Sequence, residues 1–215
     1  MATTTIDPDA VMWSAPERDR AGRPLLVLLH GFGSHEGDLF GLAPYLPLEP
    51  VIASVRAPHA EGYGYSWFPL AGTATDQERR DGADATVAAL LEWLDTTAAT
   101  SVGLLGFSQG AAISLQLMRH APRRFRYVVQ LSGFAIDGTA PGDAELHRER
   151  PPVFWGRGTQ DQVIANAFIE HTEAWLPEHA TLTTRIYEDL AHGISQPELS
   201  DIGAFIRTQL AGENE

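Results

Sequence analysis

A serine flanked by glycines is the residue best suited to covalent chemistry in this chain. Ser108 lies in the segment Gly106-Phe107-Ser108-Gln109-Gly110, directly after the apolar run Ser101–Phe107 and directly before an alanine-rich helical pattern. A serine held at so sharp a turn between a strand and a helix needs small neighbours two residues before and after it, and glycines occupy both positions. The pattern therefore indicates a nucleophile, with an ordinary turn serine as the alternative.

A serine hydroxyl is a weak nucleophile at neutral pH and needs an imidazole base oriented by a carboxylate. Where the serine lies on such a turn, the chain order is serine, acid, histidine. His192 follows the apolar run Thr183–Glu188, so it lies at the carboxyl end of a predicted strand. The other downstream histidines lie on helical patterns or in polar connections and are predicted to be surface residues: His120, His147, His171 and His179. We therefore predict His192 as the base.

Asp161 is the preferred acid because it lies in the loop that follows the predicted strand Val153–Trp155. Asp189 is only three residues from His192, and Asp137 and Asp143 lie in a connection rich in proline and glycine. The alternative for Asp161 is a loop or helix-capping role ahead of the next helix.

Acyl transfer also needs backbone N–H donors for the oxygen that becomes negative. The Gln109 amide supplies one donor at the start of the helix that follows Ser108. Phe32, in the glycine turn His30-Gly31-Phe32-Gly33, is predicted to supply the second. His30, His35, Glu36 and Asp38 match no metal-site spacing, so we expect neither a metal nor an organic cofactor.

Short apolar runs alternate with helical patterns along the chain. The predicted strands are Leu25–His30, Val51–Val55, Ser101–Phe107, Tyr127–Leu131, Val153–Trp155 and Thr183–Glu188. The predicted helices are Gln77–Leu94, Gln109–His120, Ala165–Leu176 and Glu198–Leu210, with Ser195 and Glu198 spaced as a capping box. This alternation predicts an α/β fold, in which helices cover both faces of a mostly parallel central sheet.

Composition limits the function classes. The chain has 215 residues, which suit a single domain over 1–215, with 1–20 expected to be loosely ordered and 211–215 a tail. A net charge of −13 argues against nucleic acid and anionic lipid surfaces, and the basic stretch 119–126 is interpreted as a solvated helix end. The absence of cysteine excludes a thiolate nucleophile, and without a basic leader or long apolar run we expect a soluble cytoplasmic protein without membrane insertion.

Four segments together resemble the phospholipase/carboxylesterase family of α/β-hydrolases, which includes acyl-protein thioesterases. They are His30-Gly31-Phe32-Gly33, Gly106-Phe107-Ser108-Gln109-Gly110-Ala111-Ala112, Asp161-Gln162-Val163-Ile164 and His192-Gly193-Ile194-Ser195. The resemblance implies a triad of Ser108, Asp161 and His192, with the Phe32 and Gln109 amides as the oxyanion hole. It also implies that Trp67 and Phe68 form an aromatic pair beside the substrate. The chain departs from the family pattern at Ala191, where glycine is usual, and at Gln162, where proline is frequent.

These observations predict a serine carboxylesterase that hydrolyses short-to-medium acyl esters through an acyl-enzyme intermediate. The connection Phe134–Pro152 is too short for a cap domain, so an open cleft is expected. An acyl-protein thioesterase or lysophospholipase activity stays open for a small-molecule ester or thioester substrate, as do a peptidase and a non-catalytic binding protein on the same fold. The sequence also leaves open a monomer or a homodimer.

Overall fold

Strands that are apolar on both faces form the centre of the molecule. The computed structural model describes residues 4–70 and 75–211, and within them the strands are β1 (Met12–Trp13), β2 (Leu25–Leu29), β3 (Val51–Val55), β4 (His59–Glu61), β5 (Gly64–Ser66), β6 (Val102–Phe107), β7 (Tyr127–Leu131), β8 (Pro152–Gly158) and β9 (Thr181–Tyr187). Seven of them form one sheet in the order β1-β3-β2-β6-β7-β8-β9, and β4 and β5 form a separate hairpin. Within the large sheet only β1 runs antiparallel to its neighbour.

Helices cover both faces of this sheet. In the described ranges they are α1 (Glu36–Phe40), α2 (Asp76–Asp95), α3 (Gln109–His120), α4 (Asp143–Glu149), α5 (Asn166–His179) and α6 (Gln196–Ala211). Apolar residues of α2, α3 and α5 pack against Val27 and Leu104 on one face, whereas α1 and α6 pack with Leu26 and Leu105 on the other. No helix in the described residues is both long and apolar enough to cross a membrane.

The predicted α/β class and mostly parallel sheet are confirmed. The strands at 51–55 and 127–131 and the helix at 109–120 have the predicted bounds, and the remaining predicted elements differ by a few residues at their ends. The sequence places Pro177 beyond a helix, whereas α5 continues through it to His179. Patterns of three to seven residues are too short to reveal the hairpin, α1 and α4.

Residues of the N-terminal segment contact the sheet and α2. Strand β1 pairs with β3, and the Trp13 ring lies 6.0 Å from the Trp93 ring on α2. The Arg20 guanidinium lies 4.1 Å above the centre of Trp13. The expectation of loose order over 1–20 stays a prediction, although residues 4–20 make these contacts, and residues 1–3 lie outside the described ranges. Helix α6 reaches Ala211, and the rest of the predicted tail, 212–215, also lies outside them.

Arg119, which the sequence suggests is solvated, is 1% exposed. Its guanidinium donates to both carboxylate oxygens of Asp143, at 2.8 Å each, and to the carbonyl oxygens of Ile136 and Gly138, at 2.6 Å each. A planar group with five donors suits such a site because it satisfies several acceptors at once. The interpretation of Arg119 as part of a solvated helix end is wrong, because this side chain ties α3 to the connection between β7 and β8.

Candidate active site

Ser108 lies at the junction of β6 and α3 in a strained backbone conformation. Its φ of 54° and ψ of −117° lie in a region that non-glycine residues rarely adopt. The Ser108 N–H donates to Leu131 O of the neighbouring strand at 2.8 Å, and its carbonyl accepts from the Ala111 and Ala112 amides. These hydrogen bonds hold the turn in place. Ser108 is buried in it, with 7% of its surface exposed.

The glycines around Ser108 occupy positions where no side chain fits. A Cβ at Gly110 would lie 2.0 Å from Leu29 O, and one at Gly106 would lie 2.3 Å from Gly110 O. Helix α3 therefore begins in direct contact with the end of β2. This close approach of backbone to backbone explains why both residues that flank the serine in the sequence motif are glycine.

The structure brings Asp161 and His192 together. His192 Nδ1 and Asp161 Oδ2 are 2.7 Å apart, and the Asp161 side chain is 3% exposed. The other carboxylate oxygen accepts from the backbone N–H groups of Val163 and Ile164 at 2.9 and 3.2 Å. Asp161 thus has the loop role considered from the sequence as well as the contact with the imidazole. The Phe107 ring, centred 4.8 Å from the His192 ring, packs against the imidazole.

Main-chain bonds join the loop that carries Asp161 to the loop that carries His192. Because β8 and β9 are parallel neighbours, both loops leave the same edge of the sheet. Thr159 N donates to Tyr187 O at 3.0 Å, and Gln160 N donates to Leu190 O at 2.9 Å. The Thr159 hydroxyl also accepts from the Asp189 N–H at 3.0 Å. These bonds place the acid and the imidazole within reach of each other.

The other acids considered from the sequence lie elsewhere. Asp189 is exposed, Asp137 lies 3.2 Å from Nδ1 of His171, and Asp143 is paired with Arg119. His120 is bonded to Asp84 at 3.0 Å. Among these candidates in the described residues, only Asp161 contacts His192.

A cleft at the carboxyl ends of the strands contains part of the predicted site. Its cavity has a volume of about 560 Å³. Ser108, His192 and Phe32 line it together with the apolar side chains of Leu70, Phe107, Phe134, Val163, Ile164, Ala165 and Phe168. Ser108 and His192 share this cleft, although the structure records no hydrogen bond between their side chains. Catalytic hydrogen bonds of free enzymes are often long and tighten only when substrate binds.

The two predicted oxyanion donors lie on backbone that surrounds Ser108. Within the described residues, neither the Phe32 N–H nor the Gln109 N–H donates to a protein acceptor. The Gln109 side chain is buried, accepts from Trp67 N at 2.9 Å and donates to Phe68 O at 2.7 Å. Gly33 has a φ of +73°, which allows the loop after β2 to turn back towards the serine.

Trp67 and Phe68, which the resemblance implies lie beside the substrate, are buried. Both side chains are 0% exposed and belong to the core, and the Trp67 indole N–H donates to His30 O at 2.7 Å. Neither side chain lines the cleft in this structure, and the indole has its polar partner inside the protein, so contact of this pair with substrate stays a prediction. Phe134 and Phe168, whose rings stack at 4.7 Å, form the aromatic wall of the cleft instead. They are far apart in sequence and carry no shared motif, so sequence reasoning missed them.

The polar residues after β2 have partners other than a metal. Glu36 pairs with Arg56, which holds the pKa of that carboxyl below its ordinary value, and Asp38 accepts from the Ser34 hydroxyl at 2.7 Å. His30 is buried and bonded to backbone. In the part of the chain that the structure describes, no group of three or more His, Asp or Glu residues could hold a metal ion.

The fold and the site define a class of protein. A mostly parallel sheet, a serine on a strained turn between a central strand and a helix, and a later acid paired with a later histidine are the features of an α/β-hydrolase.

Comparison with known proteins gives the family. The sequence matches the phospholipase/carboxylesterase family over residues 15–210, and the chain belongs to this family. It is 27% identical over 210 residues to acyl-protein thioesterase 1 of Kluyveromyces lactis, covering 86% of this chain and 92% of that protein. It is 28% identical over 193 residues to esterase YpfH of Escherichia coli, covering 82% and 78%.

A solved structure agrees with these relatives. The crystal structure of esterase PE8 superposes with a TM-score of 0.74 at 27% identity, over 93% of this chain and 98% of that one. The resemblance stated from the motifs is confirmed. The protein is a serine hydrolase that acts on carboxylic esters or thioesters.

Glu198, at the start of α6, is a buried carboxyl close to the His192 loop. The capping box is formed: Glu198 N donates to the Ser195 hydroxyl at 3.3 Å, and Ser195 N donates to Glu198 Oε2 at 3.4 Å. Oε1 has no partner in the described residues, and a Cβ at Gly156 would lie 2.2 Å from it. Burial raises the pKa of Glu198 to about 7, and the Asp201 carboxylate acts in the same direction.

We expect Glu198→Gln to gain thermal stability relative to wild type as pH rises from 5 to 8. Between its unfolded and folded pKa values the folded protein binds more protons, so the contribution of Glu198 to stability is lost as pH rises through 7. Each bound proton gives a slope of about 1.4 kcal/mol per pH unit at most. Melting temperatures at pH 5, 6, 7 and 8 test this. The exposed Glu92→Gln is the control, and a pH-independent difference for Glu198→Gln would contradict the assignment.

Proposed function

We propose that Ser108, Asp161 and His192 form the catalytic triad of a serine carboxylesterase that hydrolyses short-to-medium acyl esters. The observation that carries this proposal is the 2.7 Å contact of Asp161 with His192, whose imidazole lines the same cleft as the strained Ser108. The burial of Asp161 supports it, because a carboxylate withheld from water needs the imidazole N–H as a donor.

The reaction follows from these positions. With Nδ1 donating to Asp161, Nε2 of His192 is the nitrogen that accepts the Ser108 hydroxyl proton while Oγ bonds to the carbonyl carbon. The bond from that carbon to the leaving oxygen, or sulfur, then breaks, and His192 gives its proton to the departing alcohol or thiol. In the second half, His192 takes a proton from water as it attacks the acyl-enzyme. The acid leaves as the proton returns to Ser108 Oγ.

The Phe32 and Gln109 amides are proposed to stabilise the negative oxygen of each tetrahedral intermediate. Removal of one such donor lowers kcat about 10²- to 10³-fold in enzymes of this type. Both N–H groups lack a protein acceptor within the described residues, which leaves them available to substrate.

The lining of the cleft supports an apolar acyl group. Phe134, Ile164 and Phe168 form a continuous apolar side of the cavity, and the connection between β7 and β8 contributes one short helix, α4, above the sheet. A thioesterase activity is the second candidate, because a relative aligned over 86% of this chain is named acyl-protein thioesterase 1. The same triad chemistry serves both leaving groups.

A fluorophosphonate probe should label wild-type protein once, at Ser108, and should not label Ser108→Ala. Such probes react only with a serine whose hydroxyl is activated by a base. Ser114→Ala, which removes a buried hydroxyl in the same helix, is the control and should be labelled. Mass spectrometry of the intact protein measures the adduct. An unlabelled wild type would refute the proposal and favour a non-catalytic ligand-binding protein.

Asp161→Asn should lower kcat about 10³- to 10⁴-fold, whereas Asp189→Asn should retain wild-type kcat. An amide N–H facing Nδ1 favours the tautomer that carries its proton on Nε2, and this tautomer cannot accept the Ser108 proton. Steady-state hydrolysis of p-nitrophenyl butyrate measures both variants, and circular dichroism checks that both fold. If Asp189→Asn were the inactive variant, the assignment of the acid would be overturned.

With p-nitrophenyl esters of two to sixteen carbons, kcat/KM should rise with acyl length until the acyl chain covers the apolar wall of the cleft, which includes Phe134, Val163, Ile164 and Phe168. Val163 lines the cleft and is 66% exposed, so Val163→Ser should fold normally. It should lower the ratio of kcat/KM for the eight-carbon ester to that for the two-carbon ester about three- to tenfold. Leu48→Ser, another exposed apolar position outside the cleft, is the control. Thioesters of matched chain length compare the two leaving groups. A ratio unchanged by Val163→Ser would contradict an acyl group at this wall.

A further inference from the structure

His30, the last residue before the glycine loop, is a buried imidazole that the proposed reaction does not use. It is 0% exposed, and its Nε2 lies 3.1 Å from the Ala57 N–H while its Nδ1 lies 2.8 Å from Gly31 O. Because an N–H can donate only to an unprotonated nitrogen, Nε2 is the acceptor, and Nδ1 carries the proton that it donates to Gly31 O. Burial lowers the pKa of His30 and so favours this neutral form.

The bond to Gly31 O controls the direction of a neighbouring N–H. The Gly31 carbonyl and the Phe32 N–H belong to one planar trans peptide and point in opposite directions. Since the carbonyl is directed at the buried imidazole, the Phe32 N–H is directed away from the core, on the side where Phe32 and Ser108 line the cleft. The same carbonyl accepts from Ser34 N at 3.2 Å, so rotation of this peptide would break two hydrogen bonds.

The loop needs this hydrogen bond because its own glycine residues restrict the backbone little. Glycine at position 31 permits rotation of the peptide that follows it, and Gly33 already has a φ of +73°. A side chain at Gly31 is not an alternative restraint, because a Cβ there would lie 3.2 Å from the Phe107 ring and 3.5 Å from Ser108 Cβ. Gly31 therefore has two effects. It allows the loop to lie close to Ser108, and it leaves the peptide between Gly31 and Phe32 free to rotate.

His30 is also connected to the second predicted donor. The Trp67 indole donates to His30 O, the two rings lie 5.2 Å apart, and Trp67 N donates to the Gln109 side chain. A buried chain of contacts thus runs from the loop that carries the Phe32 amide to the residue that carries the Gln109 amide. Fully paired polar networks of this kind are rigid.

We propose that His30 is a positioning residue: its Nδ1–H, through Gly31 O, orients the Phe32 amide towards the oxyanion of the reacting ester. This inference rests on the proposed esterase function and on Phe32 as an oxyanion donor. It assigns His30 a role in the transition state, without contact between the imidazole and the substrate.

Three substitutions separate this role from general stability. The amide nitrogen of His30→Asn has the position of Nδ1 and can donate to Gly31 O, whereas the longer side chain of His30→Gln can accept from Ala57 N but extends past Gly31 O. His30→Leu makes neither bond. We expect kcat for p-nitrophenyl butyrate to fall about 10²- to 10³-fold in the Gln and Leu variants, to stay within about tenfold of wild type in the Asn variant, and KM to change little.

Binding of a trifluoromethyl ketone gives a second readout, because its oxygen becomes negative only when the active serine adds to its carbonyl. The affinity of this ketone should fall in parallel with kcat across the three variants. The melting temperatures of His30→Asn and His30→Gln should fall by similar amounts, because each variant loses one buried hydrogen bond. Equal kcat in Asn and Gln, or a kcat loss that follows the melting temperature, would overturn the role of His30. If wild type is labelled by the fluorophosphonate in the same series, that failure concerns His30 alone. An unlabelled wild type refutes the esterase proposal and this inference together.

Discussion

The strained backbone at Ser108 is the constraint on which the rest of the site depends. A non-glycine residue with a φ of 54° keeps its conformation only when its surroundings hold it on all sides. Here β7 accepts the Ser108 N–H, β2 touches the first turn of α3 through Gly110, and Gly106 leaves room for that helix to start. The central strands therefore do more than form a core, because together they hold the strained turn that places Ser108 in the cleft.

The parallel sheet converts this local constraint into a site. Segments that are far apart in sequence end at the same edge, so the loops after β2, β6, β8 and β9 meet around one cleft. Each loop contributes something different: the glycine turn contributes a backbone amide, the turn after β6 contributes the serine, and the last two contribute the acid and the imidazole. Buried bonds through His30, Trp67 and Gln109 connect the first two loops beneath the cleft.

The sequence predicts two kinds of feature: the strands, which recur along the chain as apolar runs, and the turn at Ser108, which requires glycine at fixed positions. Continuous apolar runs indicate the central strands, and the glycines beside Ser108 form a short motif that the sequence shows directly, although the backbone that Gly110 approaches belongs to β2. The locations of Trp67 and Arg119 could not be read in this way, because burial of an indole or a guanidinium depends on acceptors that other elements supply. The stacked Phe134 and Phe168 likewise come together only through packing of α5 against the connection that follows β7. Neither periodicity nor a motif encodes such contacts between distant elements.

The bonds between the loops that carry Asp161 and His192 determine which substitutions these loops tolerate. Thr159 and Gln160 reach Tyr187 and Leu190 through main-chain atoms, so most substitutions at these positions leave the two bonds intact. Ala191 and Gln162, the two positions where the chain departs from the usual family pattern, are exposed residues of these same loops. Substitutions at the exposed positions 162 and 191 therefore leave this main-chain link intact, and the 2.7 Å contact between Asp161 and His192 does not depend on those side chains.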